Sequence, residues 1–440
     1  MSAASPERSR RRTIARHGRL RSPRPIAQLL TLVGVAVATV MVAGIGLAGY
    51  VTYDLASSYA ADATDIGGEV PPSIAEIEGG ANILVAGTDV CEPQYAQYFG
   101  DRCAEGLAEE GARSDVNLLV HISDEPRKIT VISFPRDLMV PIPECTDANG
   151  NVTSAMSKQM LNSAFDTGGL GCTVATIEQL TGMDIQYAAS VNWGGVMAIT
   201  DAVGGVTVCL ATPIRDPYTG IDWPAGERTI QGYEALQFLR TRHGVGNGGD
   251  LGRISNQQQY MSRLAKKMMS SEVLTNPATL LKLAKTTLSA IDPSTSLTNP
   301  VTLVQLAMAV KDVPFEDIVF VQYPVYDDPY DPNRVVPDEE AAGVLLTALA
   351  NNNSLQITGD AGVGVVAEGA TPTDGATSTD GATSTDGATD GTDTGAGEAP
   401  ADGAVIEPTP STAADGSVLL PSQITGTTAA QSTCSNGQVN

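Results

Sequence analysis

Residues 113–143 read RSDVNLLVHISDEPRKITVISFPRDLMVPIP, and this stretch decides the fold class. It holds two short apolar runs, Val116–Ile122 and Lys128–Phe134, each bounded by charged or turn-forming residues. Runs of this length, rich in Val, Ile, Leu and Phe, read as largely buried strands. Upstream, Asn82-Ile-Leu-Val-Ala-Gly87 repeats the pattern. Downstream, helical periodicity follows Asn162 and Cys172, with Val174, Ile177 and Leu180 on the repeat. Strand signals return at Tyr187–Val191 and Val206–Leu210, and an amphipathic segment lies between them at Trp193–Ala202. Asn256–Met269 reads as a helix, with Tyr260, Met261, Leu264, Ala265 and Met268 along one face. Alternating strands and helices predict a layered α/β domain running from Ala81 through Phe320–Pro324 to about Leu355. That is long enough to bury one sizeable core.

The segments before this region divide the charge. Residues 1–25 carry eight arginines against one acid, Glu7. Ile26–Tyr53 is then free of charge and rich in Leu, Val, Ala and Gly. Its length suffices to span a bilayer with some tilt. A cleaved signal peptide would have a shorter apolar region, about 7–15 residues. The Arg-rich flank predicts a single-pass signal anchor in the cell membrane, with the N-terminus in the cytoplasm and the rest outside. Residues 54–80 read as a stalk.

Beyond Tyr53 the chain has 18 basic and 49 acidic residues. Such a surface repels nucleic acid, whose binding rests on Lys and Arg neutralising phosphates. All six cysteines (Cys91, Cys103, Cys145, Cys172, Cys209 and Cys434) lie in the exported part. None forms a CxxC pair, so they read as structural disulfides of an oxidising compartment. Proximity across loops predicts the pairs Cys91–Cys103 and Cys145–Cys172. Residues 356–440 read as an acidic tail. Within it, 369–404 is of low complexity, with a Thr-Asp-Gly-Ala repeat at Thr373, Thr379 and Thr385. Without aromatic residues it cannot offset the entropy of ordering, and it reads as disordered. Some apolar character returns at Val418–Pro421, and a bond from Cys434 to an upstream cysteine would tie the tail back onto the domain.

Charge of the opposite sign gathers in four places, all at strand ends or helix starts. Gly87-Thr88-Asp89 closes the first strand and Arg113-Ser114-Asp115 opens the second. Ser133-Phe134-Pro135-Arg136-Asp137 closes the third. Arg240, Arg242, Asp250 and Arg253 lie on or beside a glycine-rich loop that includes Gly244, Gly246, Gly248 and Gly249. Guanidinium forks match phosphate oxygens bidentately, so such a loop in an acidic chain suits an anion. Ligands of open α/β sheets bind at strand ends. One or two carboxylates with substrate phosphates hold magnesium in this manner. Taken singly, each cluster reads equally well as a turn, a cap or a surface ion pair.

The order of these motifs resembles the LytR-CpsA-Psr family of envelope phosphotransferases, over roughly Ala81–Leu355. The stretches that carry the resemblance are NILVAGTD (82–89), residues 113–143, LNSAFDTGG (161–169), AITDAVGGVTVCL (198–210) and EALQFLRTRHGVGNGGDLGRISNQQQY (234–260). The resemblance implies a three-layer αβα domain with a mixed central sheet. It implies transfer of a glycopolymer phosphate from a polyprenyl-pyrophosphate carrier to a peptidoglycan hydroxyl, the C6 hydroxyl of muramic acid. It assigns Asp89 and Asp115 as ligands of magnesium (or manganese). Arg113, Arg136, Arg240 and Arg242 match its pyrophosphate-binding arginines, Asp250 and Arg253 its DxGR element, and Gln257 the glutamine that follows. Asp137 is placed beside the substrate, where it either orients Arg136 or, as the alternative to Asp89 and Asp115, takes the acceptor proton. Two positions depart from the pattern. Met160 stands where the family often has lysine, with Lys158 as the candidate substitute, and Asn256 stands where many members have arginine. The same residues permit two other readings: a non-catalytic binder of polyprenyl phosphate or glycopolymer, and a pyrophosphatase using water. A transcriptional role is excluded by the acidic charge and the absence of a basic recognition helix.

Overall fold

The computed structural model describes residues 63–66, 80–90, 92–98, 103, 112–368 and 411–437. The expected cytoplasmic segment (1–25) and anchor (26–53), most of the expected stalk and residues 369–410 lie outside them. Among the described residues, no helix is long and apolar enough to cross a membrane.

The sequence runs named above form the centre of a mixed seven-stranded sheet. Its strands are β1 (Ala81–Thr88), β2 (Ser114–Ile122), β3 (Ile129–Phe134), β4 (Tyr187–Val191), β7 (Ile291–Pro293), β8 (Ile318–Gln322) and β10 (Gly426–Thr428). Across the sheet they lie in the order β7-β4-β1-β2-β3-β8-β10. The β1–β2 and β2–β3 pairs are antiparallel, whereas β4 on β1 and β8 on β3 are parallel. Both faces are covered, which is why the strands read as continuous apolar runs and not as alternating ones. On one face, Leu84, Ala86, Leu119 and Ile132 pack with Val174 and Ile177 of α1 (Ser163–Thr181) and Leu345 and Leu349 of α6 (Glu339–Ala350). On the other face, Val85, Leu118, Val131 and Phe320 meet Met261 of α4 (Asp250–Met268), while Ile83, Ile122 and Tyr187 meet Leu306 of α5 (Pro300–Val310). The result is three layers, helix on sheet on helix.

A second core forms around a four-stranded sheet of β5 (Val206–Leu210), β6 (Gly226–Ile230), β9 (Val365–Ala367) and β11 (Thr433–Ser435), in the order β6-β5-β11-β9. Val206, Val208 and Leu210 pack there with Phe238 of α3 (Gly232–Arg240) and Tyr260 of α4. The fold therefore runs past Leu355. Residues 356–368 and 411–437, which the sequence predicts as tail, supply β9, β10 and β11. These strands are three residues long, too short to show periodicity, and they exist because distant strands offer them hydrogen bonds.

Disulfides fasten this arrangement. Cys145–Cys172 forms as expected. Cys209 and Cys434 are bonded across a sequence separation of 225 residues. Cys103 is also disulfide-bonded; Cys91, its expected partner, lies outside the described residues. Removing the Cys209–Cys434 crosslink by a double change to alanine should cost about 2–5 kcal/mol, chiefly by freeing the unfolded chain. Thermal unfolding with and without reductant measures it, and equal midpoints for the two proteins would contradict it.

His121 on β2 is 4% exposed, its Nδ1 lying 2.8 Å from the Asn82 Oδ1. Burial pushes its pKa from 6.5 down to about 4. In that interval the unfolded chain binds the proton and the folded chain does not. The contribution is thus present above pH 6.5 and lost as pH falls to 4, by roughly 3 kcal/mol. His121→Gln should flatten this part of a urea-unfolding profile against pH.

Candidate active site

The C-terminal ends of β1 and β3 and the N-terminal end of β2 meet at one edge of the sheet, because β2 runs against its neighbours. This register places Asp89, Arg113, Asp115, Arg136 and Asp137 together. The Asp89 carboxylate accepts the backbone N–H of Arg113 at 2.7 Å. The Arg136 Nη1 lies 2.9 Å from the Asp115 Oδ1, and its Nε lies 3.4 Å from Asp250 and 3.8 Å from Asp137. Asp250 opens α4, where a negative charge is favoured by the helix dipole. One turn on, the Arg253 Nη2 reaches the Asp250 Oδ1 at 2.8 Å and donates to the Asp115 backbone carbonyl at 2.8 Å. The Asp250 contacts are ion pairs by distance, since neither of its oxygens receives a well-directed hydrogen bond. Burial disfavours the Arg136 charge, but Asp115, Asp250 and Asp137 outweigh it and raise its pKa above the ordinary value.

A cavity of about 400 Å³ opens at this edge. It lies between the sheet (Val85, Leu118, Val191) and three helices: α2 (Trp193–Ala202), α3 and α4. Val196, Ile199, Leu236, Leu239, Met261 and Leu264 make its interior apolar. Tyr260 contributes a neutral phenol whose pKa is pushed up to about 12 by burial, its hydroxyl 2.5 Å from that of Thr200. The charged lining consists of Asp115, Arg136, Asp216, Arg240, Arg242 and Arg253. One cavity thus joins a cluster of guanidinium groups to a hydrocarbon-like wall.

A model of the LytR_cpsA_psr family matches residues 50–351. The chain belongs to the LytR_cpsA_psr family. Cell wall biosynthesis protein LcpA of Corynebacterium glutamicum is 30% identical over 226 residues, covering 47% of this chain and 43% of that protein. Probable cell wall biosynthesis protein LcpB of the same organism is 32% identical over 204 residues, 45% of this chain and 44% of that protein. A protein of Enterococcus faecalis named polyisoprenyl-teichoic acid–peptidoglycan teichoic acid transferase TagU is 28% identical over 173 residues, 39% of this chain and 52% of its own length. The matches span about half, or less, of the length of these curated relatives.

Of the residues picked out by the family pattern, Asp115, Arg136, Arg240, Arg242, Arg253 and Gln257 all line the cavity. Gln257 also donates to the Leu239 carbonyl at 3.1 Å, which ties α4 to α3. Asp137 and Asp250 act from behind: both face Arg136, and Asp137 also lies 3.8 Å from Arg334. Asp89 is buried beside the cavity, and Arg113 is exposed outside its lining. Neither departure from the family pattern restores a charge to the site. Lys158 pairs with Asp328 at 2.6 Å, and the fully buried Asn256 accepts from the Ser435 hydroxyl at 2.6 Å.

Two contributors carry no signal in the sequence. Trp193, one of two tryptophans in the chain, lies with its ring 4.6 Å from the Arg240 guanidinium, a cation–π contact. Asp216, 1% exposed, accepts the backbone N–H groups of Arg242 and His243 at 3.0 and 3.1 Å. The Asp-Pro pair at 216–217 marks a turn, but not the loop it holds.

Among the described residues, no group of three or more His, Cys, Asp or Glu side chains could hold a metal. The donors that are present, Asp89 and Asp115 on paired strand ends, are hard oxygen ligands. They fit magnesium, which is held by one or two carboxylates with the remainder supplied by phosphate and water. Asp250→Ala should destabilise the fold by about 3–5 kcal/mol, because it strands the buried Arg253 charge. Changing Arg253→Met as well should recover part of that loss in denaturant titrations, and a purely additive result would argue against the pairing.

Proposed function

We propose that this chain transfers a glycopolymer phosphate from a polyprenyl-pyrophosphate carrier to a peptidoglycan hydroxyl, the C6 hydroxyl of muramic acid. It would do so at the outer face of the cell membrane, held there by the anchor at 26–53. The observation that carries this reading is the single cavity with guanidinium groups around an apolar interior. An amphiphile with a diphosphate head and an isoprenoid tail has the complementary form. The tail enters between the sheet and α2, α3 and α4, where burying hydrocarbon is favourable. Arg136, Arg240, Arg242 and Arg253 face the head, and they are held in place before substrate arrives.

In the transfer step the acceptor oxygen bonds to the sugar-linked phosphorus. The bond from that phosphorus to the bridging oxygen breaks, and polyprenyl phosphate departs with the electron pair. The hydroxyl proton passes to one of the carboxylates at the strand ends, Asp89, Asp115 or Asp137. The arginines stabilise the charge that grows on the bridging oxygen, in a site where fixed donors need not reorganise. Asp89 and Asp115 would hold magnesium, which supplies further neutralisation of the diphosphate. Asp250 and Asp137 orient Arg136, and Trp193 orients Arg240.

The test uses the purified full chain in detergent with a polyprenyl-pyrophosphate glycolipid, peptidoglycan and magnesium. Arg240→Ala should lower transfer roughly 100-fold or more while the protein keeps its unfolding midpoint. Undiminished transfer by this variant would sink the assignment. Release of free phosphorylated sugar, with no polymer joined to peptidoglycan, would replace transfer by hydrolysis.

A further inference from the structure

The family match ends at residue 351, yet chain beyond it touches the loop that carries Arg242. Strand β11 ends at Ser435, and the two residues that follow continue along the Gly-rich loop. The Asn436 carbonyl accepts the backbone N–H of Gly246 at 3.2 Å, and Val245 forms an antiparallel bridge with Gly437. Thr212 locks this contact from the other side. Its hydroxyl accepts the Gly437 N–H at 2.7 Å and donates to the Asn436 Oδ1 at 2.8 Å.

The glycines on either side of this contact are hemmed in by other segments. At Gly246, with φ of +55°, a Cβ would sit 2.9 Å from Val363 and 3.1 Å from Gly364. At Gly437 it would sit 2.0 Å from the Pro213 carbonyl oxygen. A second set of bonds seats β11 on the helix behind the loop. The Ser435 hydroxyl donates to Asn256 and accepts from the Gln259 Nε2 at 3.0 Å, while Gln259 also bonds both backbone groups of Cys209. The replacement of a charged residue by Asn256 thereby gains a use: asparagine is short and neutral enough to meet Ser435 in a dry interface.

The loop in turn holds the guanidinium. Gly248 donates its N–H to the Val245 carbonyl at 2.9 Å, and its own carbonyl accepts from the Arg242 Nε at 3.2 Å. Asp216 fixes only the backbone of Arg242. The direction of the side chain depends on where Gly248 lies, and that follows from the Val245–Gly246 segment under the C-terminal strand.

We propose that Ser435, Asn436 and Gly437 are positioning residues for Arg242, acting through the Val245–Gly248 turn. The C-terminal segment is thus a clamp on the site and not only a stabilising strand. The catalytic consequence rests on the reading of Arg242 as a diphosphate ligand; the mechanical one does not.

Two variants of the full chain test it. Thr212→Val keeps the volume of residue 212 and removes the hydroxyl that fixes Asn436 and Gly437. Ending the chain after Cys434 removes the clamp but keeps the Cys209–Cys434 bond. Amide hydrogen exchange of residues 243–249 should quicken in both, while exchange in β1–β3 stays as in the wild type. Unchanged exchange in the loop of the Thr212→Val protein would overturn the proposal, whether or not the shortened chain folds. Transfer of the glycolipid should fall roughly 10- to 100-fold in Thr212→Val, a range typical of a displaced catalytic group. The same change made in an Arg242→Ala background should cost almost nothing more, because the residue being positioned is gone. Additive losses would assign the strand a merely structural role. If the wild-type protein shows no turnover, the functional reading fails, and the exchange experiment still decides the clamp.

Discussion

Arg136 is the point on which the site converges. It leaves the end of β3, reaches Asp115 on β2, and meets Asp250 at the start of α4, with Asp137 beside it. Arg253 completes the circuit by joining Asp250 to the backbone of Asp115. Charges removed from water in this way are costly unless each has a partner. The network therefore fixes the start of α4 against the edge of the sheet. Sheet, helix and loop are registered to one another through a few ion pairs, while the apolar cores supply most of the burial.

In a strongly acidic chain this arrangement gathers four arginines at one cavity. Asp115, Asp250 and Asp137 surround Arg136, Asp250 also pairs with Arg253, and both arginines line the cavity. Asp216 holds the Arg242 backbone, and the Trp193 ring lies against the Arg240 guanidinium. Beside the charges the wall is apolar, so one cavity has adjacent polar and hydrocarbon-like parts.

Much of this is legible in the amino-acid sequence. The runs at 82–87, 116–122 and 128–134 are unmistakable strands, since burial on both faces demands unbroken apolar sequence. The order of the Asp and Arg clusters at strand ends carries the family resemblance, and the structure brings six of the matched residues to one cavity. The start of α4 is less legible. Helical periodicity begins near Asn256, whereas the first turn at Asp250–Arg253 is held by an ion pair and by the helix dipole, which leave no apolar repeat. Lys158 shows the converse: a suitable charge near a missing lysine is engaged by Asp328.

The sequence by itself determined the central strands, the helices that follow Asn162, Asn192 and Asn256, and the identities of the charged groups, because these depend on neighbours along the chain. Tertiary structure decided which of those groups face each other. It also decided that residues 365–367 and 426–437 belong to the fold, since strands of three residues have no local signal and exist only where another strand awaits them. The partner of Cys434, the burial of Asn256 against Ser435 and the grip of Gly437 on Val245 are of the same kind. Each joins residues far apart along the chain, and contacts at such separations are set by the packing of whole elements.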